Sequence, residues 1–254
     1  MRSRWWGTSL ILCLGCRGGA MSPWLLSEPP ESVHSPAPAV LASRSREIDA
    51  HVAEPVDTLG LAAEAMRTGQ SQAAADHLRR HVRENPDQIM IRAYLAELYQ
   101  KQHADRDAEY HFTRFIESAQ GGNPSVRDHT IHCHTRLMEL AIGRGDDYQE
   151  HLQRGIGLYL LARKASLKSA TVETEVVESM YGRAVAELTA ATERDAADAR
   201  GWWYLSRVWE ELRQPQAVRR CLARARAGVG GSTMTASEKA ALAEVPAGDR
   251  LPLR

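Results

Sequence analysis

Leu61-Ala62-Ala63-Glu64-Ala65 and Ala74-Ala75-Asp76-His77-Leu78 are echoed by Leu95-Ala96-Glu97-Leu98-Tyr99 and Ala108-Glu109-Tyr110-His111-Phe112, 34 positions further on. In both copies small residues (Ala62 and Ala74, then Ala96 and Ala108) stand beside larger ones (Leu61 and Leu78, then Leu95, Tyr99 and Phe112) at helical spacing. Self-similarity at this period marks helical hairpins stacked in a row, each too small to bury its apolar face alone. The punctuation agrees. Thr68-Gly69-Gln70 separates the two helices of the first hairpin, Asn85-Pro86 closes it, and Gln120-Gly121-Gly122-Asn123-Pro124 breaks the chain after the second.

The code resembles that of the tetratricopeptide repeat family. Family positions 7, 8, 11, 20, 24, 27 and 32 fall on Leu61, Ala62, Ala65, Ala74, Leu78, His81 and Pro86. In the next unit they fall on Leu95, Ala96, Tyr99, Ala108, Phe112, Phe115 and Gln120. Near the C-terminus Trp202, Leu205, Ser206, Trp209, Val218, Leu222 and Ala225 fit the same pattern from position 4 onward, and Ala184, Leu188 and Ala191 match the second helix of a preceding unit. The resemblance implies an all-α, helix-turn-helix solenoid of about 3–5 helical pairs, with clear units at 55–88, 89–122 and 199–227.

Between these units the register slips. The last unit lies 110 residues after the second, eight more than three periods. The stretch 124–198 still reads as helix, through Leu137, Leu140 and Ala141, then Leu152, Ile156, Tyr159 and Leu160. A stripe of Val172, Val176, Met180, Ala184 and Leu188 suggests one helix longer than the rest. In the tail, 228–254, Thr235 and Glu238 have the spacing of a capping box for a short helix, whose Ala241, Leu242 and Val245 would cover the end of the array. The last residues read as disordered.

Residues 1–20 have another character. Arg2 and Arg4 precede the apolar run Trp5 to Gly15, too short to span a bilayer comfortably and suited to a secretory signal. Cys13-Leu14-Gly15-Cys16 resembles a bacterial lipobox, although Cys13 stands where Leu is usual. That resemblance implies lipidation of Cys16, a cell-envelope location facing the periplasm and attachment to a membrane. Cleavage after Gly18-Gly19-Ala20, or a retained anchor, are the alternatives. Residues 21–55, with Glu28-Pro29-Pro30-Glu31 and Ser35-Pro36-Ala37-Pro38, have the composition of a partly extended, disordered tether.

With 32 basic and 32 acidic residues the chain is formally neutral, and no basic stripe interleaved with aromatics marks it for nucleic acid. No phosphate-cradling glycine loop, nucleophile elbow or haem-attachment Cys pair is present. The expectation is therefore a non-enzymatic module without cofactors. The alternative is a metal-binding or enzymatic protein, because His129, His132 and Cys133 are soft-metal ligands sharing one helical face. Cys133 and Cys221 read as buried thiols on separate helices, with a long-range disulfide as the other reading. His77 and His81, one turn apart, lack the Glu of a metalloprotease motif. The tetratricopeptide resemblance also implies a concave groove lined by Met90, Tyr94, Glu97 and Lys101, then Arg200, Trp203, Tyr204 and Arg207. A protein or peptide partner would dock there, and homo-oligomerisation is a further option.

Overall fold

The computed structural model describes residues 57–119, 124–167 and 173–246, so the signal-like start, the tether and Cys16 lie outside the described residues, as do Val172 and the last eight positions. Among the described residues every regular element is helical: α1 (Thr58–Arg67), α2 (Ser71–Glu84), α3 (Ile89–Lys101), α4 (Asp105–Ser118), α5 (Pro124–Arg144), α6 (Asp147–Ser166), α7 (Thr174–Arg194), α8 (Ala199–Glu211), α9 (Pro215–Gly228) and α10 (Ala236–Glu244), with one 3-10 turn at Val229–Gly231. Each of α1 to α9 packs on the next, which makes the fold an all-α, tetratricopeptide-like helix-turn-helix solenoid. No described helix is long and apolar enough to cross a membrane.

Alanines set how closely the helices approach. Ala62, Ala74, Ala96, Ala108, Ala141, Ala184 and Ala225 are sealed from solvent, while Leu78, Leu95, Phe112, Phe115, Leu137, Leu188 and Leu222 fill the space beside them. Such interdigitation reaches crystal-like density and stabilises by roughly 25 cal/mol per Å² of apolar surface removed from water. In the middle of the array the close contact is made by Gly155 of α6, since a Cβ there would come within 2.6 Å of Leu188 Cγ on α7.

The hairpin turns carry a second copy of the period. Gly69, His103, Gly145 and Arg213 all adopt left-handed φ, at +75°, +57°, +68° and +54°. From Gly69 to His103 is one period, and from Gly145 to Arg213 is two. The eight surplus residues therefore fall between His103 and Gly145, where α5 runs for 21 residues against 13 for α3. The two periods after Gly145 enclose three helices, α6, α7 and α8, where regular repeats would place four. Beyond neighbours in sequence, α5 touches α3 and α6 touches α8. Both α5 and α6 thus stack as first helices of a hairpin, so the alternation is reset at their junction.

Three expectations are corrected. Leu61 is 44% exposed rather than packed, because no described helix precedes α1 to cover it. The buried stripe of α7 is Val177, Tyr181, Ala184, Leu188 and Ala191, one position round from the expected one, and Val176 is 43% exposed. All three long middle helices exceed the usual length, at 21, 20 and 21 residues, rather than one alone. Cys133 and Cys221 are both buried free thiols.

Two histidines are held uncharged inside this stack. His111 of α4 stacks on Tyr99, and burial, with Arg92 and Arg79 nearby and Asp107 opposing them, lowers its pKa to about 4. His134 of α5 meets Gln153 Oε1 at 2.7 Å, and burial plus Arg200, against Gln153 and Glu238, lowers its pKa to about 4 as well. Unfolded histidine titrates near 6.5, so on acidification the unfolded chain takes up protons first and the native state loses stability. Each histidine contributes up to about 3 kcal/mol of this loss. Urea midpoints should fall between pH 7 and pH 4, and His111→Leu should remove part of that slope.

Candidate functional site

The α3 and α5 face, expected to be a groove, is braced from within. Glu97 on α3 accepts hydrogen bonds from His132 Nε2 at 2.6 Å and Arg136 Nε at 3.0 Å, both on α5, and Arg136 Nη1 donates to Glu139 at 2.8 Å. Burial works to raise the Glu97 pKa, but these donors outweigh it and hold the carboxyl below its usual range. Tyr94 and Lys101 remain exposed on this face, and Met90 is half-buried. Glu97 is a strut between helices, its oxygens already occupied.

That strut also separates the suspected metal ligands. His132 turns to Glu97, whereas Cys133 is sealed in the core, where burial first and Glu97 second push its thiol up to about 12. His129 lies beside the Phe115 ring. Among the described residues no group of three His, Cys, Asp or Glu side chains is arranged to hold a metal ion. The reading of His129, His132 and Cys133 as one ligand set is therefore corrected: a shared helical face did not bring their donor atoms to one point. His81 is likewise structural, bonded to Thr58 Oγ1 at 2.7 Å and Gln88 Oε1 at 3.0 Å.

The α8 half of the expected groove is covered by the chain itself. Arg200 and Trp203 are each only 6% exposed. Arg200 Nε and Nη2 reach Glu238 Oε1 of α10 at 3.2 and 3.1 Å, and Tyr204 Oη donates to the same oxygen at 2.7 Å. Glu238 Oε2 accepts from the Thr235 backbone at 2.7 Å, and Thr235 Oγ1 caps Glu238 N, so the carboxylate starts α10 and pins it to α8. Behind it Asp198, the N-cap of α8, accepts from Tyr148 Oη of α6 and Thr233 Oγ1, both at 2.6 Å. Burial opposes charge on Asp198, yet those hydrogen bonds lower its pKa. Arg200 and Tyr204 were expected to face a partner. They instead join α8 to the last helix.

What this cover leaves open is a cleft of about 930 Å³ on its far side. Trp203, Val218, Leu222, Ala241 and Val245 give it an apolar floor, and Arg163, Arg207, Arg213, Glu210, Glu211 and Glu244 a charged rim. Arg207 lies 5.5 Å above the Trp203 ring and pairs with Glu210, while Arg163 Nε meets Glu211 at 3.4 Å. Of the expected groove residues, Trp203 and Arg207 line this cleft. Sequence reasoning missed Arg163, Arg213 and Glu244, which come from three separate elements with no common period. An apolar floor with aromatic and Arg anchors suits a peptide segment, since such residues supply most interface energy.

No protein-family model matches the chain, and no curated protein matches it. Among solved structures it is similar to the crystal structure of MamA protein, with 12% identity and a TM-score of 0.33, over 66% of this chain and 87% of that one. The fold assignment stands on this chain's own helix packing and turn spacing.

Glu238→Gln should leave the Arg200 guanidinium buried without its counter-charge, at a cost of about 3 kcal/mol. Urea denaturation should show that loss, and hydrogen exchange should show the α10 amides opening before those of α8.

Proposed function

We propose that this protein is a non-enzymatic scaffold that docks a peptide segment of a partner protein in the cleft between α8, α9 and α10, beside the end of α6. The observation that carries this reading is the pairing of an apolar cleft floor containing Trp203 with a rim whose charges are only partly paired among the described residues. Arg207 and Arg163 have local acidic partners, whereas Arg213 projects from a left-handed turn into the rim with no ion pair among the described residues. Side chains of this kind gain from a partner's carboxylate or carbonyl when the floor excludes water. The α3 and α5 face supports docking less well, because its charged groups satisfy one another.

The reading includes export and a lipid tether. Arg2, Arg4, the apolar run and Cys16 favour processing as a lipoprotein, and residues 21–55 would then hold the helical array away from the membrane. Docking would take place at the envelope.

Peptides selected from a random library on the full chain should bind the Arg163→Glu/Arg207→Glu variant about tenfold more weakly by calorimetry, with an unchanged melting temperature. Equal affinity for both proteins would place the docking surface elsewhere. For the tether, metabolic labelling with a fatty acid should mark the wild-type chain in a bacterial host and leave Cys16→Ser unlabelled. Label retained in that variant would remove Cys16 as the lipid site.

A further inference from the structure

Charge is not spread evenly around the cleft. Arg226, in the last turn of α9, donates from Nη2 to the Val245 carbonyl at 2.7 Å, which holds the end of α10 and its Glu244 at that level. Arg213 sits at the other end, in the left-handed turn just before Pro215 opens α9. From Pro215 to Arg226 the helix advances eleven positions, roughly 16 Å at 1.5 Å per residue. Between these ends the charges cancel locally, since Arg207 pairs with Glu210 and Arg163 with Glu211. Arg213 and Glu244 are exposed, and among the described residues neither has an ion pair or a side-chain hydrogen bond. A lone exposed charge carries little meaning, because water satisfies it. Two charges of opposite sign that bracket one apolar floor define an axis.

We propose that the partner's docking segment is a short extended peptide of bipolar charge, with an acidic side chain at Arg213, a basic one at Glu244, and apolar side chains between them on Trp203, Val218 and Leu222. This rests on the docking reading above and names the chemistry of its ligand. An extended chain advances about 3.3 Å per residue, so charges four residues apart lie about 13 Å from each other before their own side chains reach outward. The second and fourth residues of such a segment share one face and can lie on the floor together. The rim holds three arginines and three glutamates, so selection comes from placement and not from net attraction. A segment of one sign throughout would set a like charge against one end of the cleft, and like-charge contacts are what exclude wrong partners.

The probe is the capped pentapeptide acetyl-Lys-Leu-Ala-Leu-Glu-amide, titrated into the isotope-labelled full chain and followed by amide chemical shifts, which read millimolar affinities. Wild type should bind it at least about tenfold more tightly than acetyl-Lys-Leu-Ala-Leu-Lys-amide, and Arg213→Glu should invert that preference. Glu244→Lys should likewise come to prefer acetyl-Glu-Leu-Ala-Leu-Glu-amide over the bipolar probe. Arg219→Glu, exposed on α9 and outside the cleft, alters net charge as Arg213→Glu does and should keep the wild-type preference. All three positions are exposed, so melting temperatures should match that of wild type. No binding of the bipolar probe to wild type, equal binding of the three peptides, or a preference left unaltered by Arg213→Glu and Glu244→Lys overturns the proposal. The library peptides of the preceding section are titrated in parallel. If they bind wild type and weaken in Arg163→Glu/Arg207→Glu while the bipolar probe shows no preference, the charge axis fails and the docking reading stands. If neither the pentapeptides nor the library peptides bind, both fail together.

Discussion

Close approach of helices at alanine is the constraint on which the structure depends. Ala62, Ala74, Ala96 and Ala108 are sealed where neighbouring helices meet, so the larger side chains beside them can interlock without voids. A helix of 10 to 14 residues, as in the first four, is marginal alone. It persists because the next helix covers its apolar face. Where no described helix supplies that cover, as on the outer side of α1, the same code leaves Leu61 exposed.

Cover also decides the C-terminal end. The reset at the α5 and α6 junction lets α6 stack against α8 as one first-type helix on another, and Asp198 joins both to the loop that leads into α10. Glu238 then makes a buried ion pair with Arg200 that also caps its own helix. One carboxylate thus serves two ends, and removing it would strand a buried cation. The cleft is a consequence of where α10 settles: it seals the start of α8 and leaves the later part, with Trp203 and Arg207, open to α9.

Much of the array was legible locally. The buried sides of α3, α4 and α9 follow directly from Leu95, Tyr99, Phe112, Leu222 and Ala225, because their period is that of the helix. The Thr235 and Glu238 spacing is a local signal too, and it forms a capping box. The candidate site was legible only in part. Trp203 and Arg207 do line the cleft, but Arg200 and Tyr204, on the same helix face, are consumed by Glu238, 38 and 34 residues away. On α7, four-residue spacing alone could not tell Val176 from Val177, since a drift of one position becomes visible only against the partner helix.

By itself the sequence determined the helices, their turns and their small-and-large packing code, since each depends on residues a few positions apart and repeats at a fixed period. Tertiary structure alone decided which polar side chains were left for a partner. Glu97, His132, Cys133 and Arg200 could each be drawn as ligands on an isolated helix, but their fates depend on groups brought near by stacking. A charge or thiol is free only if no neighbouring helix satisfies or buries it, and that neighbour is chosen by the fold.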